Sequence, residues 1–232
     1  YIHVKGLTVR NVYQPYSGEL ACGVGSDASS HMIFENMNVH NIGGRGMTYW
    51  GANGYFGIEY DSVHYYNCDI SNCYDPLSDV PGNGADGWKG GNEPGGYFYF
   101  EGCRAWDCAD DGFDVSGNSY AEFNNCWSWS HGWFGEGLDG NGFKFGAISD
   151  SFPDPMRKIT RCLAAFNRGQ GFYDLEYADY YRNNSRIFNN TAYKNGYGFG
   201  GSSNTVRPYR LSQYFNNIAY ASTELTPSSD PY

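Results

Sequence analysis

Aspartates and lysines recur at matching places in three related phrases. These are Gly84-Ala85-Asp86-Gly87-Trp88-Lys89, Ala109-Asp110-Asp111-Gly112-Phe113-Asp114 and Asp139-Gly140-Asn141-Gly142-Phe143-Lys144. Asp86 precedes Asp111 by 25 residues and Asp111 precedes Asn141 by 30, the spacing of a structural repeat with coils of unequal length. If the phrases stack, Asp86, Asp111 and Asn141 form one column. Lys89, Asp114 and Lys144 form a second, and Asp110 stands beside Asp111. Neighbouring rungs lie about 5 Å apart and alternate rungs about 10 Å, so Asp86, Asp110, Asp111 and Asp114 converge on one point. Carboxylates that close raise one another's pKa unless a cation neutralises them. An all-oxygen set of acids suits Ca²⁺, whereas zinc would bring His or Cys.

A calcium ion beside Lys144 points to one reaction class. A uronate carboxylate bound to the ion has its C5 proton acidified, and a neutral lysine amine can take that proton as general base. The oxygen at C4 then leaves, giving a 4,5-unsaturated sugar end. Lys144 must shift down from about 10.4 to act this way. Lys89 can pair with Asp114, bind a sugar carboxylate or serve as the base itself. Arg168, one coil beyond Lys144, can clamp a substrate carboxylate. Arg104 and His131 fall near the same groove by sequence, and His131 can bind sugar or assist a leaving group. Asn141 joins these as a substrate-binding candidate. Tyr49, Trp50, Trp106, Trp127, Trp129 and Trp133 are candidate sugar platforms. Any one of the acids alone would be an ordinary turn residue in an Asp-Gly phrase. Their clustering in consecutive coils is what singles them out, because the later echoes Gln170-Gly171-Phe172-Tyr173 and Tyr197-Gly198-Phe199-Gly200 keep the glycine and the aromatic but lose the acids and lysines.

The elements that must position these groups are short strands. A strand-like run followed by a polar bend recurs eight times, centred on Asn11, Asn36, Asn67, Gly102, Asn125, Arg161, Asn190 and Asn217, with spacings from 23 to 36 residues. The hydrophobic period is nearer two than 3.6, and Gly, Asn and Asp flank the runs. Each unit is two or three strands that cannot bury an apolar side alone, so the units must stack. Stacking predicts an internal column of Cys68, Cys103, Cys126 and Cys162. It predicts a second of Trp88, Phe113, Phe143, Phe172 and Phe199, and a bend ladder of Asn36, Asn67, Asn125, Asn190 and Asn217. The fold class is therefore all-β, a parallel β-helix. A propeller would show a regular period near 40 residues, and a sandwich gives the Gly-aromatic phrase no reason to recur. Residues 1–225 form one helix domain in this reading, open to continuation at either end, and 226–232 a tail. The stretches Pro76 to Gly96 and Asp150 to Lys158 lengthen coils and rim one face.

The chain has 15 Lys plus Arg against 25 Asp plus Glu, a net charge of -10, which turns away nucleic acid and anionic membranes as partners. An acidic polymer remains open to it if local cations bridge the two. The seven cysteines are odd in number, which excludes complete intramolecular pairing, and the lack of a CxxC argues against a zinc knuckle. No transmembrane run is present. A monomer is expected.

Taken together, Ala85-Asp86-Gly87-Trp88, Gly102-Cys103-Arg104-Ala105-Trp106 leading to Asp110-Asp111-Gly112-Phe113-Asp114, Asn125-Cys126-Trp127 and Asp139-Gly140-Asn141-Gly142-Phe143-Lys144 resemble polysaccharide lyase family 9, which includes pectate and rhamnogalacturonan lyases. The resemblance implies a right-handed parallel β-helix and calcium-dependent β-elimination of a galacturonate-containing pectic polymer. It also implies secretion or export to reach plant cell-wall polysaccharide. By position it implies Asp86, Asp110, Asp111 and Asp114 as calcium ligands and Lys144 as the base. Lys89 departs from the pattern, where a smaller residue is expected, and an added cation there suits the alternating galacturonate and rhamnose of rhamnogalacturonan. Two rivals stand beside this reading: a glycoside hydrolase of a pectic polymer using paired aspartates, and a non-catalytic polysaccharide-binding β-helix.

Overall fold

The computed structural model describes residues 1–18, 20–27, 31–50, 62–90, 96–116, 119–135, 139–146, 156–174, 184–201 and 213–220. Every regular element among them is a strand. The strands fall into three sheets, two of eight strands and one of seven, and each strand pairs in parallel with its counterpart one coil away. The chain thus winds through first, second and third sheet in turn, as a parallel β-helix must. The expected tail at 226–232 lies outside the described residues.

The corner between first and second sheet is always two residues long, from Gly6-Leu7 to Asn216-Asn217. Its leading residue takes a left-handed conformation: Gly6, Asn36, Asn67, Gly102, Asn125, Arg161, Asn189 and Asn216 have φ between 50° and 69°. Asn and Gly tolerate that region best, which is why they dominate the bend. The expected ladder is therefore out of register at its end. Asn189 and Asn216 hold the bend, and Asn190 and Asn217 sit one residue further on, pointing inward. Each Asn-Asn doublet fits the bend in two registers, and a one-residue slip reverses the face. Asn11 likewise belongs to the end of the second sheet, where its Oδ1 accepts Asn41 Nδ2 at 3.2 Å.

The inward positions make the core. Trp88, Phe113, Phe143, Phe172 and Phe199 stack face to face with centroids 4.5, 4.8, 5.0 and 4.8 Å apart. A second stack of Phe34, Tyr65, Phe100 and Phe123 meets the first edge-on. The offset ring spacing matches the strand spacing, so one residue type repeated along the axis packs without voids. Cys68, Cys103, Cys126 and Cys162 form the expected column as buried free thiols. Asn190 and Asn217 continue that column. Cys162 N donates to Asn190 Oδ1 at 2.8 Å and Asn190 N to Asn217 Oδ1 at 2.9 Å, so buried amide replaces thiol and satisfies the backbone.

Coil length varies elsewhere. The second-to-third connections at 74–87 and 130–142 are the longest of their kind, and they flank the short connection 107–112 that carries Asp110 and Asp111. The site is thus rimmed by 74–87 and by the described parts of 130–142 (130–135 and 139–142). Asp150 to Lys158, expected at the rim, lies partly outside the described residues and ends in the first-sheet strand Met156–Thr160.

Candidate active site

The strands Trp88–Gly90, Phe113–Ser116 and Phe143–Gly146 lie side by side in the third sheet. Their register sets Lys89 against Asp114 and Asp114 against Lys144, with Tyr173 next beyond. Alternation puts these side chains opposite the aromatic stack, so the core that fixes the strands also fixes the charged row. Just upstream, Gly87 N donates to Asp111 O and Gly112 N to Asn141 O, both at 2.9 Å, so Asp86, Asp111 and Asn141 occupy successive rungs. The glycine after each is there for close packing. A Cβ on Gly87 would sit 2.5 Å from Gly112 O, and one on Gly112 would sit 2.1 Å from Ser128 Oγ. With no side chain in the way, the acidic rungs pack directly against the second-sheet corner.

Asp86, Asp111 and Asp114 are wholly buried, and their ligand atoms lie within 4.8 Å of one another. Asp110, Asp111 and Asp139 form a second group at the same range. The four expected acids thus meet as two overlapping triads that share Asp111, and Asp139 enters as a fifth acid. Lys89 Nζ hydrogen-bonds Asp114 and lies 3.6 Å from Asp86. Lys144 Nζ lies 3.0 Å from Asp111 Oδ2, 3.5 Å from Asp114 Oδ2 and 3.0 Å from Asp139 Oδ2. Solvent reaches the cluster through Asp139 and the two lysine side chains, which are 58%, 22% and 11% exposed.

Five carboxylates face two ammonium groups, and burial raises Asp86, Asp110 and Asp111. Burial, with its acidic neighbours adding to it, pushes Asp110 up to about 9. Burial pushes Asp86 up to about 7, against the pull of Lys89. Asp111 is also raised by burial. Burial acts to lower both lysines, but the surrounding carboxylates outweigh it and hold them above the ordinary range. Both Asp86 oxygens and Asp110 Oδ1 are buried without a hydrogen-bond donor. Orphaned anionic oxygens at such density fit a hard divalent cation that accepts six to eight oxygen ligands.

Other expected residues fall elsewhere. His131 is fully buried and does not face a groove. Its Nδ1 accepts the Cys108 N–H at 3.2 Å, so Nε2 carries the proton and meets Ser128 Oγ at 3.0 Å, whose hydroxyl donates to Gly142 O at 2.8 Å. It braces the acidic rungs from behind. Asn141 is likewise a brace and not a surface group: its backbone N and Nδ2 both donate to Asp111 Oδ1, at 2.7 and 2.9 Å, and its Oδ1 accepts from Gln170 N. Arg104 stands on the second sheet, ion-paired with Asp69, away from the acids. Arg168 is exposed, and its Nη1 reaches Gly132 O in the 130–142 rim. Of the aromatic candidates, Tyr49 is buried core, Trp50 has its side chain outside the described residues, and Trp106 and Trp129 stack on the second sheet at 5.0 Å. Trp127 and Trp133 are 46% and 62% exposed.

Sequence reading missed Asp139 as a site residue. Its signal was its place two residues before Asn141 in the third acidic phrase, where the first two phrases carry Gly84 and Ala109.

Stacked parallel coils wound through three sheets define a parallel β-helix, here with one acidic, lysine-bearing row on its third sheet. A family model described as the Pel9A-like, right-handed β-helix region matches residues 1–216. The chain belongs to that family, and its helix is right-handed. It is 31% identical over 241 residues to "Pectate lyase L" of Dickeya chrysanthemi and 32% identical over 240 to the protein of that name in Dickeya dadantii (strain 3937). Both matches take in 99% of this chain, which spans about half the length of those relatives (50% and 49%). The solved structure of pectate lyase Pel9A superposes with a TM-score of 0.64 at 28% identity, covering 99% of this chain and 54% of that one. A rhamnogalacturonan lyase shares the fold, with a TM-score of 0.61 at 21% identity, covering 99% of this chain and 63% of the other.

Proposed function

We propose that this chain is the catalytic helix of a calcium-dependent lyase that cleaves a galacturonate-containing pectic polymer by β-elimination, with Lys144 as general base. The observation that carries the reading is the place of Lys144 Nζ, 3.0 Å from Asp111 Oδ2 at the solvent edge of a buried acid cluster. The name pectate lyase, carried by the curated relatives and by the 28%-identical solved structure, supports a pectic substrate.

Asp86, Asp110, Asp111 and Asp114 would hold the calcium, with Asn141 fixing the Asp111 carboxylate through two donated hydrogen bonds. When bound, calcium supplies a Lewis acid for the uronate carboxylate and so acidifies the adjacent C5 proton. Lys144, as the neutral amine, takes that proton at Nζ. Calcium held by these acids would offset the carboxylate charge that raises Lys144 in the metal-free cluster and so favour the neutral amine. Lys89 sets a second positive charge on the other side of Asp114. There it can meet a second carboxylate, homogalacturonan and rhamnogalacturonan differing in where that group falls. Arg168 at the rim is a further carboxylate clamp. The reading carries export with it, since the substrate is a plant cell-wall polysaccharide, and a monomer is sufficient for the chemistry.

Mass analysis of the products tests the reaction type. Elimination leaves one new end dehydrated relative to the hydrolytic product. Dehydrated ends from polygalacturonate or rhamnogalacturonan support the lyase and choose the polymer. Only hydrated ends would make the chain a hydrolase, and no new ends from any uronate polymer would make it a binding helix.

A further inference from the structure

At the bend between first and second sheet, Gly102 leaves one position without a side chain. Asn67, Gly102 and Asn125 occupy equivalent left-handed positions on three successive coils, with φ of 50°, 66° and 53°. The coils on either side carry a side-chain amide and the middle one carries none. The gap is a notch of about 290 Å³ lined by Asn67, Gly102, Arg104, Asn125 and Trp127. Its wall is set by register: Arg104 pairs with Trp127 in the next strand and with Asp69 in the previous one. Trp127 is 46% exposed although its neighbours Cys126 and Ser128 are fully buried. Arg104 gives Nε to Asp69 Oδ1 at 2.7 Å and Nη2 to Asp69 Oδ2, while Nη1 has no protein partner among the described residues.

We propose that this notch is a second carbohydrate site, separate from the acid cluster, that grips one uronate unit of the pectic polymer. The inference rests on the substrate class proposed above but not on the lyase chemistry. Each component fits a sugar acid. An exposed indole face stacks on the apolar side of a pyranose ring. Two amides, one on each coil flanking Gly102, offer both donors and acceptors to ring hydroxyls. A guanidinium already oriented by Asp69 presents its free nitrogen to a carboxylate. The volume falls just under the roughly 300–1,000 Å³ of sites for drug-sized ligands, which suits a single sugar ring. The notch opens between first and second sheets and the acids face out from the third, yet both draw on coils between Asn67 and Lys144. A long polymer can therefore be held on one face while another segment enters the active site. The gain is in local concentration, not in chemistry.

The test is retardation in affinity electrophoresis through polygalacturonate, run in excess chelator so that calcium bridging cannot contribute. Gly102→Asn fills the notch with the residue its neighbours already use. The left-handed backbone accepts Asn, and the new Cβ meets only the tip of Asn67, with Oδ1 at 2.5 Å. Trp127→Ala removes the exposed wall, and a neutral glucan gel serves as the comparison. The expected result is that wild type and Lys144→Ala are retarded alike in polygalacturonate and not in glucan, while Gly102→Asn and Trp127→Ala each bind at least fivefold more weakly. Absence of wild-type retardation overturns the site. So does wild-type behaviour in Trp127→Ala, equal retardation by the glucan, or loss of retardation in Lys144→Ala. Failure to form unsaturated product would leave this result untouched, so the two readings fail separately.

Discussion

Lys144 Nζ lies 3.0 Å from Asp139 Oδ2, five residues back along its own coil, and 3.0 Å from Asp111 Oδ2 on the coil before. The first contact joins the lysine to the one exposed acid of the site and the second joins it to a fully buried one. The same ammonium thus closes the metal-free acid cluster and stands at its solvent edge, where the proposed base would meet substrate. That double duty shapes the predictions below.

Calcium should compete with the lysines for the carboxylates. Lys89 holds Asp114 and lies 3.6 Å from Asp86, so a cation entering between them meets a positive charge at close range. Lys89→Met should therefore tighten calcium binding at least several-fold, read by calorimetric titration. Equal or weaker affinity would show that Lys89 helps to organise the ligands.

Metal binding should be visible as stability. Calcium at about a hundred times its Kd should add about 2.7 kcal/mol, raising the melting temperature by several degrees. Asp86→Asn should remove most of that rise, since Asp86 offers two buried oxygens without donors. An unchanged rise in the variant would place the ion elsewhere.

The pH dependence of the metal-free protein has a definite sign. Asp86 and Asp110 rise from an ordinary 3.8 to about 7 and about 9 on folding, mainly through burial. The folded chain then keeps protons that the unfolded chain releases. Their contribution is complete below the unfolded value and is lost as pH climbs through about 7 and then about 9. The raised lysines contribute steadily across this window, because their stabilisation fades only above 10.5. In chelator the melting temperature should fall between about pH 5 and about pH 9. With calcium the trend should reverse, because ligation requires deprotonated acids. A flat profile in chelator would contradict the buried-cluster account.

The aromatic stack should matter for folding more than for chemistry. Phe143 is fully buried between Phe113 and Phe172. Phe143→Ala should cost about 3–5 kcal/mol in denaturant unfolding, with calcium affinity retained in whatever fraction stays folded. A loss below about 1 kcal/mol would mean the coils do not share one cooperative core.

The sequence carried the repeat because stacking forces like residues over like. The Trp88 to Phe199 column and the Cys68 to Cys162 column could be read from single recurring phrases. It could not carry depth or register where a doublet such as Asn189-Asn190 fits the bend in two ways. Nor could it separate His131, a hidden brace between Cys108 and Ser128, from a surface histidine, since a place after a strand and before Gly132 sets no depth. Asp139 escaped notice because its partner, Lys144, finds it through a turn of the chain and not through the column.

The most direct test of the central claim is the ultraviolet absorbance of the 4,5-unsaturated uronate product. It would be followed on polygalacturonate and on rhamnogalacturonan, with calcium and with excess chelator, for wild type and Lys144→Ala. The account predicts a calcium-dependent rise on one of the two polymers that falls by about 10²–10⁴-fold when Lys144 is removed, with calcium binding intact. A rise that survives in chelator, or one that Lys144→Ala leaves unchanged, would contradict it.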